Sequence, residues 1–449
     1  PQTAKFECGH SGINQLFSNA VWSMKGNFLE IPTDCPTRER TGFTGDAQVF
    51  VNTGMYLMEC YPVYRKFLNE LRAVKRDGGC VSQTAPSGKG HLFDGSAGWS
   101  DAIDLIPWRM YLRYGNQDIL KENYEKIKEW LDFSLKRAKE DNPGRVRGKD
   151  DKYYSYLLDT GWHWGEWIEP DWNGFISGED PGGAYLRDIH DHGAPEVCTA
   201  HLSYGCQIAA EVAQLLGRKE EADYYCEMRR LTKLAYREAC MENGRMKQKR
   251  QCDYVHAVMF DMITDEEKKT TCDELNEMIV ENGFHLNTEF LSTCELLRVL
   301  SDYGHADTAW SLMLQDTYPG WLYQLKYHAT TIWEDWKGME EGKEPKDSMN
   351  HYSFGTFAGW LMDRAAGIRV EEGKIQICPV PDRRIGYVKA VYDSPLGEIR
   401  SSWEYVDALF RLEVEIPPNV TAEVIMPDGT RHEAGAGIHV YEIAGESVD

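Results

Sequence analysis

Residues Asp34–Asp46 read DCPTRERTGFTGD and bring three carboxylates (Asp34, Glu39, Asp46) and two arginines (Arg38, Arg40) into thirteen positions. Pro36, Gly42 and Gly45 interrupt any regular element, and Phe43 sets an aromatic in the middle, so the segment reads as a shaped loop. Carboxylates held close together oppose one another's ionisation, while neighbouring guanidinium groups limit how many take up a proton. Such a cluster can keep one acid protonated near neutral pH, which is the chemistry of a sugar hydrolase. The rival role, a salt-bridged loop that braces helix ends, needs neither the breakers nor the aromatic.

A second candidate is Ala329–Trp336, ATTIWEDW, where Glu334 sits among Trp333 and Trp336 soon after the Pro319–Trp321 turn. Indole faces offer an apolar platform to the C–H side of a sugar, and carboxylates bind its hydroxyls. A third is Trp162–Trp167, WHWGEW, with Trp164, Glu166 and Trp167, followed by Trp172. Three tryptophans in six residues, broken by Gly165, do not make one helix face, so some must meet a cleft or another loop. Trp99 and Asp101 in GSAGWSD pair an aromatic with an acid at a helix start, where Asp101 reads equally well as a first-turn acid favoured by the helix dipole. His351 opens the last helical stretch and is either a packing residue or a substrate ligand. There is no GxSxG, HExxH, P-loop or GxGxxG signature, and His190 and His192 lack the context of a metal site. Neither a metal nor a cofactor is expected.

The elements that must position these residues are helical from about residue 10 to 368. Leu120, Tyr124, Ile127 and Leu131 form one apolar stripe; Ile208, Val212, Leu215 and Leu216 form another that runs into Gly217, a C-cap signal. Tyr224, Met228, Leu231 and Ala235 suggest a third, and further helices are expected near 13–24, 44–74 (broken around Pro62), 98–114, 253–263, 265–282, 286–303, 305–315 and 351–366. About a dozen helices with long Gly-, Pro- and Trp-rich loops gathered at one end describe an (α/α)6 barrel. After Gly367 the period changes: Lys374–Ile377, Leu412–Ile416 and Ala422–Met426 read as strands, with turns at Ser394–Gly397 and Pro427–Gly429. The expected organisation is a barrel over 1–368 and a β-sandwich over 369–449.

Composition narrows the partners. A formal charge of −23 opposes nucleic acid or an anionic membrane surface and suits a neutral substrate. No apolar run approaches the roughly 20 residues that span a bilayer. The twelve cysteines contain no CxxC pair and fall mostly in apolar helical patterns, as at Cys60, Cys206, Cys226 and Cys294, so they read as buried free thiols of a reducing compartment. A cytoplasmic location is expected on that basis. The opening PQTAKFECGH has neither Met nor a signal peptide and reads as the start of a fragment.

Taken together the motifs resemble the α-L-rhamnosidases of glycoside hydrolase family 78. Ile31–Phe50 looks like that family's signature almost residue for residue, and the likeness continues through Trp99–Ala102, Gly165–Trp167, Tyr318–Trp321, Ala329–Glu334, Asn350–Gly355 and Ile416–Ala422. The resemblance implies an (α/α)6 barrel, an inverting mechanism and release of terminal α-L-rhamnose. It places the general acid on Glu39 and the general base on Glu334. Asp34 and Asp46 would hold sugar hydroxyls and help keep Glu39 protonated, and His351, Trp99, Trp167, Trp333 and Phe43 would frame the ring. Arg38, Asp101, Trp164, Glu166 and Trp336 complete the expected substrate-binding set. Phe43 stands where the family usually has Trp, Glu166 stands where it usually has Asp, and the family's N-terminal β-domains are missing from this sequence.

The expected partner is a small-molecule or oligosaccharide rhamnoside; the oligomeric state is left open, a homodimer included. Three alternatives remain: another (α/α)6 glycosidase, a sugar phosphorylase, or an inactive carbohydrate-binding protein. A phosphorylase needs cations to hold phosphate where the base stands, and near Glu334 in the sequence there is only Lys337.

Overall fold

The computed structural model describes residues 1–141, 153–167, 169–170 and 181–444; Trp172 lies outside them. In chain order the helices are α1 (Ser11–Asn27), α2 (Thr44–Leu57), α3 (Tyr61–Ala73), α4 (Ala102–Tyr114), α5 (Asp118–Glu140) and α6 (Pro181–His192). There follow α7 (Pro195–Leu215), α8 (Lys219–Cys240), α9 (Gln251–Met259), α10 (Asp265–Glu281), α11 (Phe290–Asp302), α12 (Ala306–Met313) and the short α13 (Phe357–Trp360). Six of them, α2, α4, α7, α9, α11 and α13, each pack on the next, and α13 closes back onto α2.

Residue type explains which helices take the inner places. Every residue of α9 from Gln251 to Val258 is buried, as is all of α13, so neither has a face for water. The outer helices α3, α5, α8, α10 and α12 are one-sided and pack on the inner ring, and α1 packs against the turn Ser353–Thr356 that leads into α13. On α5 the stripe Leu120, Tyr124, Ile127 and Leu131 is fully buried, as its spacing requires. This is an (α/α)6 barrel.

Local departures have local causes. The helix expected over 44–74 is two helices, because Pro62 lies in the first turn of α3, where a missing N–H costs no hydrogen bond. The helix expected from 98 begins at Ala102; Gly98 is left-handed (φ +81°), and the Asp101 carboxylate accepts the Gly98 N–H at 2.7 Å. The stripe expected at Tyr224 and Leu231 is turned by one position: α8 buries Tyr225, Thr232, Ala235 and Tyr236, leaving Tyr224 and Cys226 exposed. All twelve cysteines are free thiols, and Cys226 alone of them is exposed. The last helical stretch changes pitch twice, from a 3-10 turn (Ser353–Thr356) through α13 to a π turn (Leu361–Ala365).

The β-rich part holds β4 (Ile368–Glu371), β5 (Lys374–Ile377), β6 (Tyr387–Ser394), β7 (Gly397–Val406), β8 (Leu409–Ile416), β9 (Ala422–Ile425), β10 (Arg431–Ala434) and β11 (Gly437–Ala444). Two earlier short strands, β2 (Met241–Glu242) and β3 (Arg245–Met246), form a separate hairpin. One sheet has the order β10-β9-β5-β4. The other runs β1-β6-β7-β8-β11, where β1 (Ala4–Cys8) comes from the opposite end of the chain and pairs antiparallel with β6. Hydrogen bonds tie this layer to the barrel: Trp403 Nε1 and Ser401 Oγ donate to the carbonyls of Ala365 and Ala366, both at 2.7 Å. Tyr392 also donates to Met55 O at 3.0 Å. Among the described residues no helix is long and apolar enough to cross a membrane.

Candidate active site

The acidic loop is wound around Asp34. Its backbone N–H donates to Thr41 O at 3.0 Å, and its carboxylate accepts the Thr41 N–H and the Cys35 thiol, both at 2.7 Å. The Glu39 N–H in turn donates to Cys35 Sγ at 3.4 Å. Arg40 takes a left-handed conformation (φ +54°), a strained state for a side chain of this size that the surrounding bonds hold in place. Two glycines are demanded by close approach: a Cβ on Gly42 would meet Ala85 O at 2.2 Å, and one on Gly45 would meet the Trp99 indole at 2.5 Å. Asp34, Cys35 and Glu39 bring ligand-type atoms within 4.8 Å of one another. Burial and Asp34 raise the Cys35 thiol's pKa, so it serves as a hydrogen-bond donor rather than a thiolate ligand.

The opposing loop hangs on α1. Asn19 Nδ2 donates to Ala329 O at 2.9 Å, and Ser23 Oγ accepts the Ile332 N–H at 2.7 Å. Glu334 is fixed twice by one residue: its N–H donates to Ser348 O and its Oε2 accepts the Ser348 N–H, each at 2.9 Å. Arg38 reaches across from the acidic loop. Its Nη2 lies 3.4 Å from Glu39 Oε1, and its Nη1 lies 3.6 Å from Glu334 Oε2 and 3.2 Å from Asp347 Oδ1. Sequence position left Glu334 without an arginine; the fold supplies one.

These loops line a cavity of about 850 Å³. Asp34, Arg38, Glu39, Phe43, Asp46 and Glu334 all reach it, as do Trp99, Trp164, Trp167, Trp336 and His351. Trp164 is held by Gln83 (Nε1 to Oε1, 2.8 Å) and stacks on Phe93 at 4.1 Å, with Trp167 edge-on at 5.1 Å. Trp167 itself is left-handed (φ +72°). Trp336 stacks on Phe354 at 4.1 Å, and Phe290 stacks on His351 at 5.2 Å.

Burial shifts both facing glutamates the same way. Burial raises the Glu39 pKa, and the charges of Asp34 and Glu334 raise it further, against a smaller lowering by Arg38. Glu334 is raised too, chiefly by burial; His351, the Ser348 N–H and Arg38 oppose this. Burial is the largest influence on His351 and would depress its pKa, but Asp46, with Oδ1 3.0 Å from Nε2, together with the charges of Glu334 and Asp34, raises it overall.

Three expected residues do not line the cavity. Asp101 is buried beneath it, accepting the Gly98 N–H and Trp130 Nε1–H (2.8 Å). Glu166 points into the protein, where it meets His256 and accepts from Ser292 Oγ (2.6 Å), Ser292 N (3.2 Å) and Glu289 N (3.3 Å), so it caps the start of α11. Trp333 packs under Gly338, where an added Cβ would touch its ring at 2.9 Å. In a loop, neighbouring residues face different ways, and sequence does not say which way each faces. Conversely, the cavity wall includes Glu169, Glu289, Phe290, Tyr318 and Asp335, none of which the sequence reading placed in the site. Asp335 lies inside ATTIWEDW and Tyr318 inside Tyr318–Trp321, each beside residues whose types point to the site; nothing in the types around Glu169, Glu289 and Phe290 marks a cavity. The rim, Lys337–Asp347, is charged, with Glu340 paired to both Lys337 (2.9 Å) and Lys343 (2.8 Å).

Known proteins resemble this chain in sequence and fold. The family described as bacterial alpha-L-rhamnosidase 6 hairpin glycosidase domain matches residues 1–365, and the bacterial alpha-L-rhamnosidase C-terminal domain matches residues 373–440. The chain is 34% identical over 441 residues to an alpha-L-rhamnosidase of Formosa agariphila, covering 95% of this chain and 44% of that protein. It is 31% identical over 465 residues to one of Streptomyces avermitilis, covering 100% of this chain and 42% of that protein. The crystal structure of the Streptomyces avermitilis alpha-L-rhamnosidase complexed with L-rhamnose matches with a TM-score of 0.85 at 30% identity, over 99% of this chain and 42% of that one. Native alpha-L-rhamnosidase from Aspergillus terreus gives 0.87 at 28% identity, over 98% of this chain and 50% of that one. The chain therefore spans less than half the length of the curated relatives it matches. With residues 1–365 matched by that six-hairpin domain, the chain belongs to the bacterial α-L-rhamnosidase six-hairpin glycosidase family.

Proposed function

We propose that this chain carries the active site of an inverting glycoside hydrolase that releases terminal α-L-rhamnose, with Glu39 as general acid and Glu334 as general base. The observation that carries this reading is the placement of Glu39 and Glu334 at the two ends of one guanidinium, Arg38, on opposing loops of one cavity. An inverting enzyme needs its carboxyl groups spaced by about 6.5–9.5 Å to admit a water, against about 5–5.5 Å for a retaining pair. A group inserted between the two favours the wider spacing. The raised Glu39 pKa suits a proton donor to the leaving oxygen. Glu334 is held by Ser348 through one oxygen, Oε2, leaving Oε1 to receive a proton from water.

The lining fits the substrate class. Trp99, Trp164, Trp167 and Trp336 supply apolar surface for the ring and its methyl group, and carboxylates supply hydroxyl acceptors. Ten carboxylates line the cavity against four cations (Arg38, Lys337, Lys343 and Lys346), which favours a neutral glycoside over an anionic one. Phosphorolysis has one point in its favour, the Arg38 cation near Glu334. Arg38 is already shared among Glu39, Glu334 and Asp347, however, and a phosphate there would face all three.

The test is release of nitrophenol from 4-nitrophenyl α-L-rhamnoside, with and without phosphate, and proton NMR of the anomeric signal in the first minutes. Phosphate-independent turnover with β-rhamnose appearing first supports the reading. α-Rhamnose first overturns inversion, strict phosphate dependence indicates a phosphorylase, and tight binding without turnover indicates a binding protein.

A further inference from the structure

Glu289 immediately precedes α11 and is 6% exposed, yet its carboxyl lines the cavity. Its backbone is well engaged, the N–H with Glu166 and the carbonyl with the Thr293 N–H at 3.0 Å. The carboxyl, by contrast, accepts no hydrogen bond and makes no ion pair among the described residues. Neither carboxyl oxygen is among the fully buried unpartnered atoms, so the group opens to the cavity with its acceptors free for a partner that arrives with the ligand. Its chain neighbour Phe290 stacks on His351, which touches Asp46, while the Glu289 carboxyl itself lies within electrostatic reach of Asp335 and of Lys346 on the rim, so it stands where the sugar-framing wall meets the rim.

We propose that Glu289 is a substrate-binding residue that holds one ring hydroxyl of the terminal sugar; this rests on the glycosidase reading given above. Burial and the charges of Asp335, Glu169 and Glu166 raise its pKa well above the ordinary range, so the group can keep its proton and both donate to and accept from a hydroxyl. Glu166 has a supporting part. By capping the first turn of α11 through Ser292 and the Glu289 N–H, it fixes the backbone from which Glu289 enters the cavity.

The experiment compares wild type, E289Q and E289L on 4-nitrophenyl α-L-rhamnoside and its 2-, 3- and 4-deoxy analogues. E289L is expected to lose about 10- to 100-fold in kcat/KM on the parent substrate, the worth of one strong hydrogen bond. E289Q, which still donates and accepts, retains most of the activity. For one deoxy analogue, the one lacking the hydroxyl that Glu289 holds, wild type and E289L become equal, because the two partners are coupled. The Tm of E289L stays equal to or above that of wild type, as expected where a group serves ligand rather than fold. Losses that multiply for every analogue, or a Tm that falls in step with activity, overturn the proposal while leaving the rhamnosidase reading intact. If wild type ignores the rhamnoside and hydrolyses another aryl glycoside, the rhamnosidase reading fails, and the same cycle on deoxy analogues of that sugar decides Glu289.

Discussion

Arg38 Nη1 lies 3.6 Å from Glu334 Oε2, so the acidic loop and the tryptophan loop are joined by an ion pair at the point where they face each other. The Arg38 side chain is 44% exposed, and an exposed pair of this kind adds little to stability. Its consequence is electrostatic. Arg38 lowers the pKa of both Glu39 and Glu334, opposing the rise that burial causes in each. Arg38→Gln should therefore move both limbs of the pH–kcat/KM profile to higher pH: Glu334 must lose its proton to act, and Glu39 must keep its own. A profile that moves to lower pH, or only one limb that moves, would contradict the assigned roles.

Glu39→Gln and Glu334→Gln should differ by leaving group. Without its acid the enzyme loses roughly 10²–10⁴-fold on an alkyl rhamnoside and less on the nitrophenyl one, whose leaving group needs little protonation. Without its base it loses on both alike. Steady-state kcat/KM for the two substrates separates these patterns, and equal losses in Glu39→Gln would remove it from the acid role.

Gly45→Ala is predicted to disturb the sugar platform from a distance. The added Cβ meets the Trp99 indole at 2.5 Å, and that ring is buried beside Trp164 at 5.8 Å between centroids. Overpacking of this kind costs about 1–3 kcal/mol and moves the ring off its position. Thermal unfolding should show the lower stability, and KM should rise more than kcat falls.

Asp101→Asn should affect stability rather than chemistry. Burial pushes the Asp101 carboxyl up to about 6 despite its bonds from Gly98 and Trp130. A raised carboxyl binds more protons folded than unfolded, so its contribution is full below the ordinary carboxylate pKa and is lost as pH rises through about 6. The variant lacks that dependence. Its Tm deficit against wild type should shrink as pH rises across this window, with kcat and KM of the folded enzyme unchanged.

The parts of the site that could be read from sequence are those whose chemistry is contiguous. Asp34–Asp46 carries its carboxylates, arginines and breakers in one run, and Glu334 stands between tryptophans. Amphipathic stripes gave the outer helices, although on α8 Tyr225 and Thr232 are buried where Tyr224 and Leu231 were expected, with Ala235 buried as its spacing requires, because two neighbouring tyrosines fit either register. Facing directions were beyond reach. Asp101, Glu166 and Trp333 sit in the same motifs as cavity residues but turn into the protein. Glu169 and Glu289 are single acids in ordinary surroundings, given meaning only by where the barrel puts them. The Arg38–Glu334 pair joins two distant loops and is a product of closure alone.

The edge strand β1 pairs Ala4 with Tyr392 and Cys8 with Val388, so a strand that precedes the barrel in the chain finds this partner only after every described barrel helix has been made. Contacts of such separation form late, since long loops must close before the pairing rewards them. A ribosome-bound chain that stops short of β6 would hold every described barrel helix while β1 lacked this partner, its hydrogen-bonding edge open to other strands. Synthesis of β6, rather than completion of the barrel, is then the step that ties β1 into its sheet.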